Sequence, residues 1–550
     1  MAGQGGTKLM LLVLKAFTLT TQAAQYGCNH VKVWPDPPRI EKNFPPPNIT
    51  LYSPAFLDTD QIPLAFANGT EGPTSDAVLD DFLKEIASRN SWMNYGSTGD
   101  VTEEGRSLRY VCLSSSSKPW NSTLQIPETP MPPPKAKLRV WLQGGVHGSE
   151  PAGDQSILAL LGKMDAEPQW AASLLDNLDM MLLPRYNPDG IAYFQRDLAS
   201  NFDPNRDHVK LARKQTRDIK RMFSQFDPHV AADMHEFRAS AMYGGKYLPG
   251  ADAMFSAAKN LNIHPRIRRL AESLFAPAIS SHLESRGLRW EPYVTGKTTL
   301  KQDTPITFHE AGTDAKIGRN AMGLCQAVVF LCEVRGIGIA SQEFARRTAT
   351  ALTMLESIVE TASEHAHEIL RIMDDSVKDF VDDDNDIVIT DFSDKSFRNW
   401  TFLDFETGDL LQIPVEFYST TPSSANLTRS KPEAYLIPLP WAEVALKLEI
   451  LGIEVQTLPQ SWSGTVEALT IASSSLGRAY DDGAVRASVS TNSTSTDIRL
   501  PAGSFWVSTR QKNAALAFVT LEPENADSYV STGVIPLEKG DQYPIFRVLR

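Results

Sequence analysis

Four short apolar runs without polar alternation punctuate the chain, and each runs into a residue able to bind a metal or move a proton. Leu138 to Leu142 leads through Gly144 and Gly145 into His147-Gly-Ser-Glu150, and Met180 to Leu183 leads into Arg185 and Asn187-Pro-Asp-Gly190. Val230 to Met234 ends at His235, and Ala327 to Cys332 ends at Glu333. Continuous apolar runs of this length predict strands buried on both faces, as in a largely parallel sheet. Helical spacing lies around and between them. Val78, Leu79, Phe82, Leu83 and Ile86 follow a Thr74-Ser75-Asp76 cap, and further helical segments fall around Ser156 to Lys163 and Val209 to Phe226. This alternation predicts an α/β fold with a mostly parallel or mixed central sheet flanked by helices. Leu108 to Leu113 reads as another strand, and Ser341 to Met373 as one long helix.

Towards the C-terminus the texture changes. Runs such as Leu411 to Phe417, Phe505 to Ser508 and Ala514 to Leu521 are short, strand-like and separated by turn residues. The division expected is a Pro-rich arm over 25–73, a catalytic domain over 74–373, an acidic linker over 374–386 and a β-rich accessory domain over 387–550. Residues 1–24 read as a signal peptide: Lys8 precedes Leu9 to Leu14, and Gln22-Ala23-Ala24 offers small residues for cleavage.

Composition narrows the partners. Lys and Arg number 53 against 66 Asp and Glu, and the net charge of −13 argues against nucleic acid or an anionic membrane. No other stretch approaches the apolar length of a membrane span. Asn48, Asn68, Asn121, Asn399, Asn426 and Asn492 stand in N-x-[ST] sequons, as expected of a secreted, extracellular glycoprotein. Of the four cysteines, Cys28 and Cys112 are the expected disulfide, and Cys325 and Cys332 read as buried thiols.

His147-x-x-Glu150 is weak by itself, but it sits in a glycine-rich loop leaving a strand. A catalytic zinc takes about three protein ligands and keeps a position open for water. His147 and Glu150 supply two, and His235 is the obvious third. Glu333, an acid at the end of an apolar run, is suited to act as general base; the bland alternative is an ion pair with Arg335. Arg196, Asn205 and Arg206 follow the Asn187 motif closely, and guanidinium groups grip carboxylates or stabilise oxyanions.

Taken in order, His147/Glu150, Asn187-Pro-Asp-Gly190, Arg196, Asp203-Pro-Asn205-Arg206, His235 and Glu333 resemble the signature of the M14 zinc carboxypeptidases. The Glu104-Gly-Arg106 element fits the same pattern, and the resemblance covers about residues 74–370. Gly318-Arg319-Asn320-Ala321, together with Leu500-Pro-Ala-Gly503 to Leu521-Glu-Pro523, resembles a secreted two-domain microbial branch. The resemblance implies one zinc per chain held by His147, Glu150 and His235, with Asp203 orienting a zinc-bound histidine. It makes Glu333 the general base and Arg196 the group that polarises the scissile carbonyl. Asn205 and Arg206 grip the C-terminal carboxylate of a peptide or protein substrate, and Tyr293 is the candidate for a substrate-binding tyrosine. The expectation is a secreted monomer that removes C-terminal amino acids. An N-acyl amino acid deacylase of the aspartoacylase type and a catalytically silent secreted binding protein remain as alternatives. No H-E-x-x-H, G-x-S-x-G or phosphate loop is present.

Overall fold

The computed structural model describes residues 31–115, 137–479 and 485–549. The signal peptide, Cys28 and the Asn121 sequon lie outside the described residues.

A mixed eight-stranded sheet forms the centre. Its order is Met93–Val101, Ser107–Leu113, Leu178–Leu183, Leu138–Gln143, Val230–Arg238, Val328–Ile337, Ala253–Ala257 and Trp290–Pro292. Leu178–Leu183, Leu138–Gln143, Val230–Arg238 and Val328–Ile337 run parallel, and they are the four apolar runs. Helices cover them: Pro151–Ala166 and Phe344–Glu364 are buried along nearly all their length. Parallel strands need such cover on both faces, which is why their side chains do not alternate. Two strands run on past the expected ends, so His235 and Glu333 sit inside them rather than at their tips.

Ser75 caps the helix Asp76–Arg89 as its sequence predicts, its hydroxyl accepting from the Val78 N–H. Three readings need correction. The long helix breaks at His365 into Phe344–Glu364 and Ala366–Asp382, so the acidic run read as a linker is helical up to Asp382. That second helix buries Ile369, Met373, Ser376 and Phe380 on one face, and this stripe outweighs the acidic composition. Ala514–Leu521 is a helix buried on all sides rather than a strand, because an apolar run alone does not separate the two. Cys112 is a free, half-buried thiol that packs against the core rather than half of a disulfide.

Two further sheets complete the molecule. One is five-stranded and draws Tyr247–Pro249, Val294–Gly296 and Thr307–Glu310 together with the long strands Ile387–Asp404 and Leu410–Arg429. The other has six antiparallel strands, all beyond residue 430. One hydrophobic core cluster extends from Leu51 to Ile545.

Candidate active site

The loop after Leu138–Gln143 carries His147 and Glu150. It is stitched to the loop of the adjacent strand by Tyr186 N–H to Gly144 O at 2.9 Å and Asn187 N–H to Gly145 O at 2.9 Å. Gly145 has φ of +60°, a turn that glycine makes without cost. Gly148 lies so close to Gly190 that an added Cβ would fall 1.9 Å from its carbonyl carbon. Pro151 then opens the helix directly behind Glu150.

Three donor groups converge here. His147 Nδ1 lies 2.8 Å from Glu150 Oε1, His235 Nδ1 lies 3.0 Å from Glu150 Oε2, and the two Nδ1 atoms are 3.1 Å apart. All three residues are buried, and their ligand atoms fall within 4.8 Å of one another. Two imidazole nitrogens and a carboxylate aimed at one point form a group that could hold a metal ion. The outer ring nitrogens are held from behind: His147 Nε2 by Asp203 Oδ1 at 3.1 Å, and His235 Nε2 by Asp233 Oδ2 at 3.1 Å. Metal-binding histidines are usually backed by such carboxylates. Two nitrogens and one oxygen suit zinc, so the residues present fit the metal.

The electrostatics follow from burial and proximity. Burial alone would raise Glu150, but His147 and His235 outweigh it and hold the carboxylate well below its usual range. Asp203 is likewise held well below its ordinary value, by His147 and Arg196 against burial. His235 is raised well above an ordinary histidine because Asp233 and Glu150 overcome its desolvation.

Glu333 pairs in register with His235 across adjacent parallel strands, which places both side chains on one face. Its carboxyl makes no hydrogen bond or ion pair among the described residues, and burial, reinforced by the charge of Glu150, pushes it up to about 8. Arg335 does not neutralise it: that guanidinium pairs with Asp36 at 2.5 Å and Glu343 at 3.3 Å.

Arg196 is one-third exposed and reaches Glu150 at 3.1 Å and Asp203 at 3.0 Å. The loop that carries it is fixed by Asn187, whose amide donates to Asp197 O at 3.0 Å while its oxygen accepts from the Gly190 N–H at 2.9 Å. Asp189 of the same motif takes Arg106 at 2.8 Å and Thr102 at 2.7 Å, which is what the Glu104-Gly-Arg106 element is for. Asn205 accepts from the Gly318 N–H at 2.8 Å, and Arg206 stands 3.7 Å from Asp203. Tyr293 feels the charge of Glu333, which with burial raises its phenol.

Sequence reasoning missed three participants. Asp233 lies two positions before His235 on the same strand face, and the alternation of that strand could have found it. Glu236 has no such signal. It accepts from Ala152 N–H at 2.7 Å and pairs with Arg347 at 2.6 Å, clamping the helix behind Glu150. Arg319, noticed only within its motif, is buried and donates to Gly312 O at 2.7 Å.

A metal-dependent hydrolase site on an α/β sheet is the class these features define. Residues 79–247 match the family Peptidase M14, zinc carboxypeptidase. The chain is 50% identical over 544 residues to "Carboxypeptidase 2" of Trichophyton equinum, covering 98% of this chain and 99% of that protein. It is 49% identical to "Carboxypeptidase 2" of Trichophyton rubrum over the same coverage. Among solved structures, the metallo-carboxypeptidase from Burkholderia cenocepacia is 16% identical, with a TM-score of 0.39 over 53% of this chain and 70% of that one. The carboxypeptidase A from Helicoverpa armigera is 16% identical, with a TM-score of 0.35 over 54% and 74%. Near-full-length identity at this level shows that the chain belongs to the zinc carboxypeptidase family and is a metallocarboxypeptidase.

Proposed function

We propose that this chain is a secreted enzyme that binds one zinc per chain through His147, Glu150 and His235 and removes the last residue of peptides or proteins. The observation that carries the reading is the free Glu333 carboxyl, set in register beside His235 and the converging donors. Zinc, when bound, supplies Lewis acidity and a polarised water. Glu333 takes the proton as water attacks the scissile carbonyl and passes it to the leaving amine.

Arg196 holds the oxyanion of the tetrahedral intermediate, a role its exposure permits and its anchorage by Glu150 and Asp203 makes rigid. Asn205 and Arg206 hold the free α-carboxylate, so the last peptide bond lies against Glu333 and Arg196. Asp203 orients His147 and Asp233 orients His235.

Export is supported by the N-terminal apolar stretch and by exposure: Asn48, Asn68, Asn399, Asn426 and Asn492 are all exposed. No helix among the described residues is long and apolar enough to cross a membrane.

The test is hydrolysis of N-blocked dipeptides against N-acetyl amino acids by zinc-loaded protein, with Glu333→Gln alongside. Dipeptides should be cleaved, and the variant should lose at least ~100-fold in kcat with zinc content unchanged. Full activity of Glu333→Gln would falsify the mechanism, and preference for the N-acetyl amino acid would indicate a deacylase.

A further inference from the structure

Among the described residues six arginines are buried: Arg185, Arg319, Arg335, Arg346, Arg347 and Arg547. Five reach a carboxylate. Arg185 pairs with Asp154, Arg335 with Asp36, Arg346 with Asp252, Arg347 with Glu236, and Arg547 with Glu522. Arg319 is 1% exposed and has no carboxylate within ion-pair distance among the described residues. Its Nη2 donates to Gly312 O at 2.7 Å, while Nε and Nη1 are buried without partners. A guanidinium cannot shed its charge, and an unpaired buried charge is costly enough that folds rarely keep one without use.

The position of Arg319 points to the use. It is the second residue of the short helix Gly318–Gly323, whose first N–H, that of Gly318, is held by Asn205, the residue assigned to the substrate carboxylate. Asn320 locks the same helix with bonds to Gly312 O and Asp314 O, both at 2.9 Å, so the guanidinium has a fixed origin. The residue before Arg319 lies against the histidine-backing carboxylate, since a Cβ added to Gly318 would fall 2.9 Å from Asp233 Oδ2, and the groups whose charge acts on Arg319 are Tyr293, Glu333, Asp314 and Asp233. Asp314 is already taken by Lys316 at 2.6 Å, and Asp233 by His235. Neither these two nor the unpaired Glu333 lies within ion-pair distance of Arg319 among the described residues.

We infer that Arg319 is a specificity-determining residue: its free Nε and Nη1 receive the side-chain carboxylate of a C-terminal glutamate or aspartate, making acidic-ended peptides the preferred substrates. The inference rests on the assignment of the α-carboxylate to Asn205 and Arg206. A second carboxylate on the terminal residue completes the ion pair that the fold leaves open. Glutamine, of the same shape but uncharged, leaves the guanidinium without a counter-charge. Lysine meets direct repulsion.

The test uses zinc-loaded full-length enzyme and N-blocked dipeptides that differ only in the last residue: Glu, Asp, Gln, Leu, Phe and Lys. The expected kcat/KM ratio of Glu over Gln is about 100-fold, and Arg319→Gln should bring that ratio close to one, with Arg319→Lys restoring part of it. Faster cleavage of Leu-, Phe- or Lys-ended peptides by the parent enzyme overturns the inference while leaving the carboxypeptidase mechanism standing. A variant that slows every substrate alike, with the ratio unchanged, also overturns it, because Arg319 would then act on structure alone. Failure to cleave any of these dipeptides sinks the functional reading and this inference with it. Should the variants fail to fold, product inhibition of the parent enzyme decides: L-glutamate should inhibit at least ~10-fold more tightly than L-glutamine, and equal inhibition rejects the proposal.

Discussion

Asp233 and Asp203 show how single residues tune this site. Asp203 Oδ1 meets His147 Nε2 and Asp233 Oδ2 stands 3.1 Å from His235 Nε2, contacts that in the proposed enzyme would set which ring nitrogen faces the metal and how basic it is. Asp233→Asn should weaken zinc affinity by roughly 10–100-fold, measured by competition with a chelator, without moving the backbone of His235. Unchanged affinity would mean that the Asp233 contact is incidental. Glu333 illustrates the opposite strategy. Its neighbours leave it unpaired, and burial, not a partner, raises its proton affinity.

At the level of elements, the loops matter more than the strands they leave. His147 and Glu150 reach their positions because the loop following Gln143 lies against the loop following Leu183, glycine to glycine. Gly148→Ala places a methyl 1.9 Å from the carbonyl carbon of Gly190, and both backbones are tied, Gly190 N–H to Asn187 Oδ1 and Gly148 N–H to Arg196 O. Denaturant unfolding should register a loss of ~1–3 kcal/mol, accompanied by loss of bound zinc. If zinc content and stability both survive, the two loops are less tightly docked than their backbone spacing indicates. The pairing of Val230–Arg238 with Val328–Ile337 does the complementary work, since its register alone sets Glu333 beside His235.

Across the whole molecule, the N-terminal arm is tied to the catalytic sheet by buried charge. Asp36 pairs with Arg335, which also meets Glu343. Burial, with the charge of Asp36 added, pushes Glu343 up to about 7. A carboxyl raised in the folded state adds stability that is complete below its ordinary value near 4.5 and lost as pH climbs through 7. Melting temperature should therefore decline between about pH 5 and 8, and Glu343→Gln should flatten that decline. A variant whose profile matches the parent would show that Glu343 is not the titrating group.

Legibility differed by scale for a physical reason. The four parallel strands, the Ser75 cap and the candidate ligands His147, Glu150 and His235 were readable because apolar runs, caps and loop residues act over a few positions. The acidic helix through Asp382 and the helix Ala514–Leu521 were not, since composition does not reveal which face a helix buries. Still less legible were Asp233 behind His235, Glu236 with Arg347, and the lone charge of Arg319. Local sequence determined which elements form and which chemical groups they carry. Only tertiary packing decided which charges meet a partner, because pairing and desolvation depend on neighbours that lie far away along the chain.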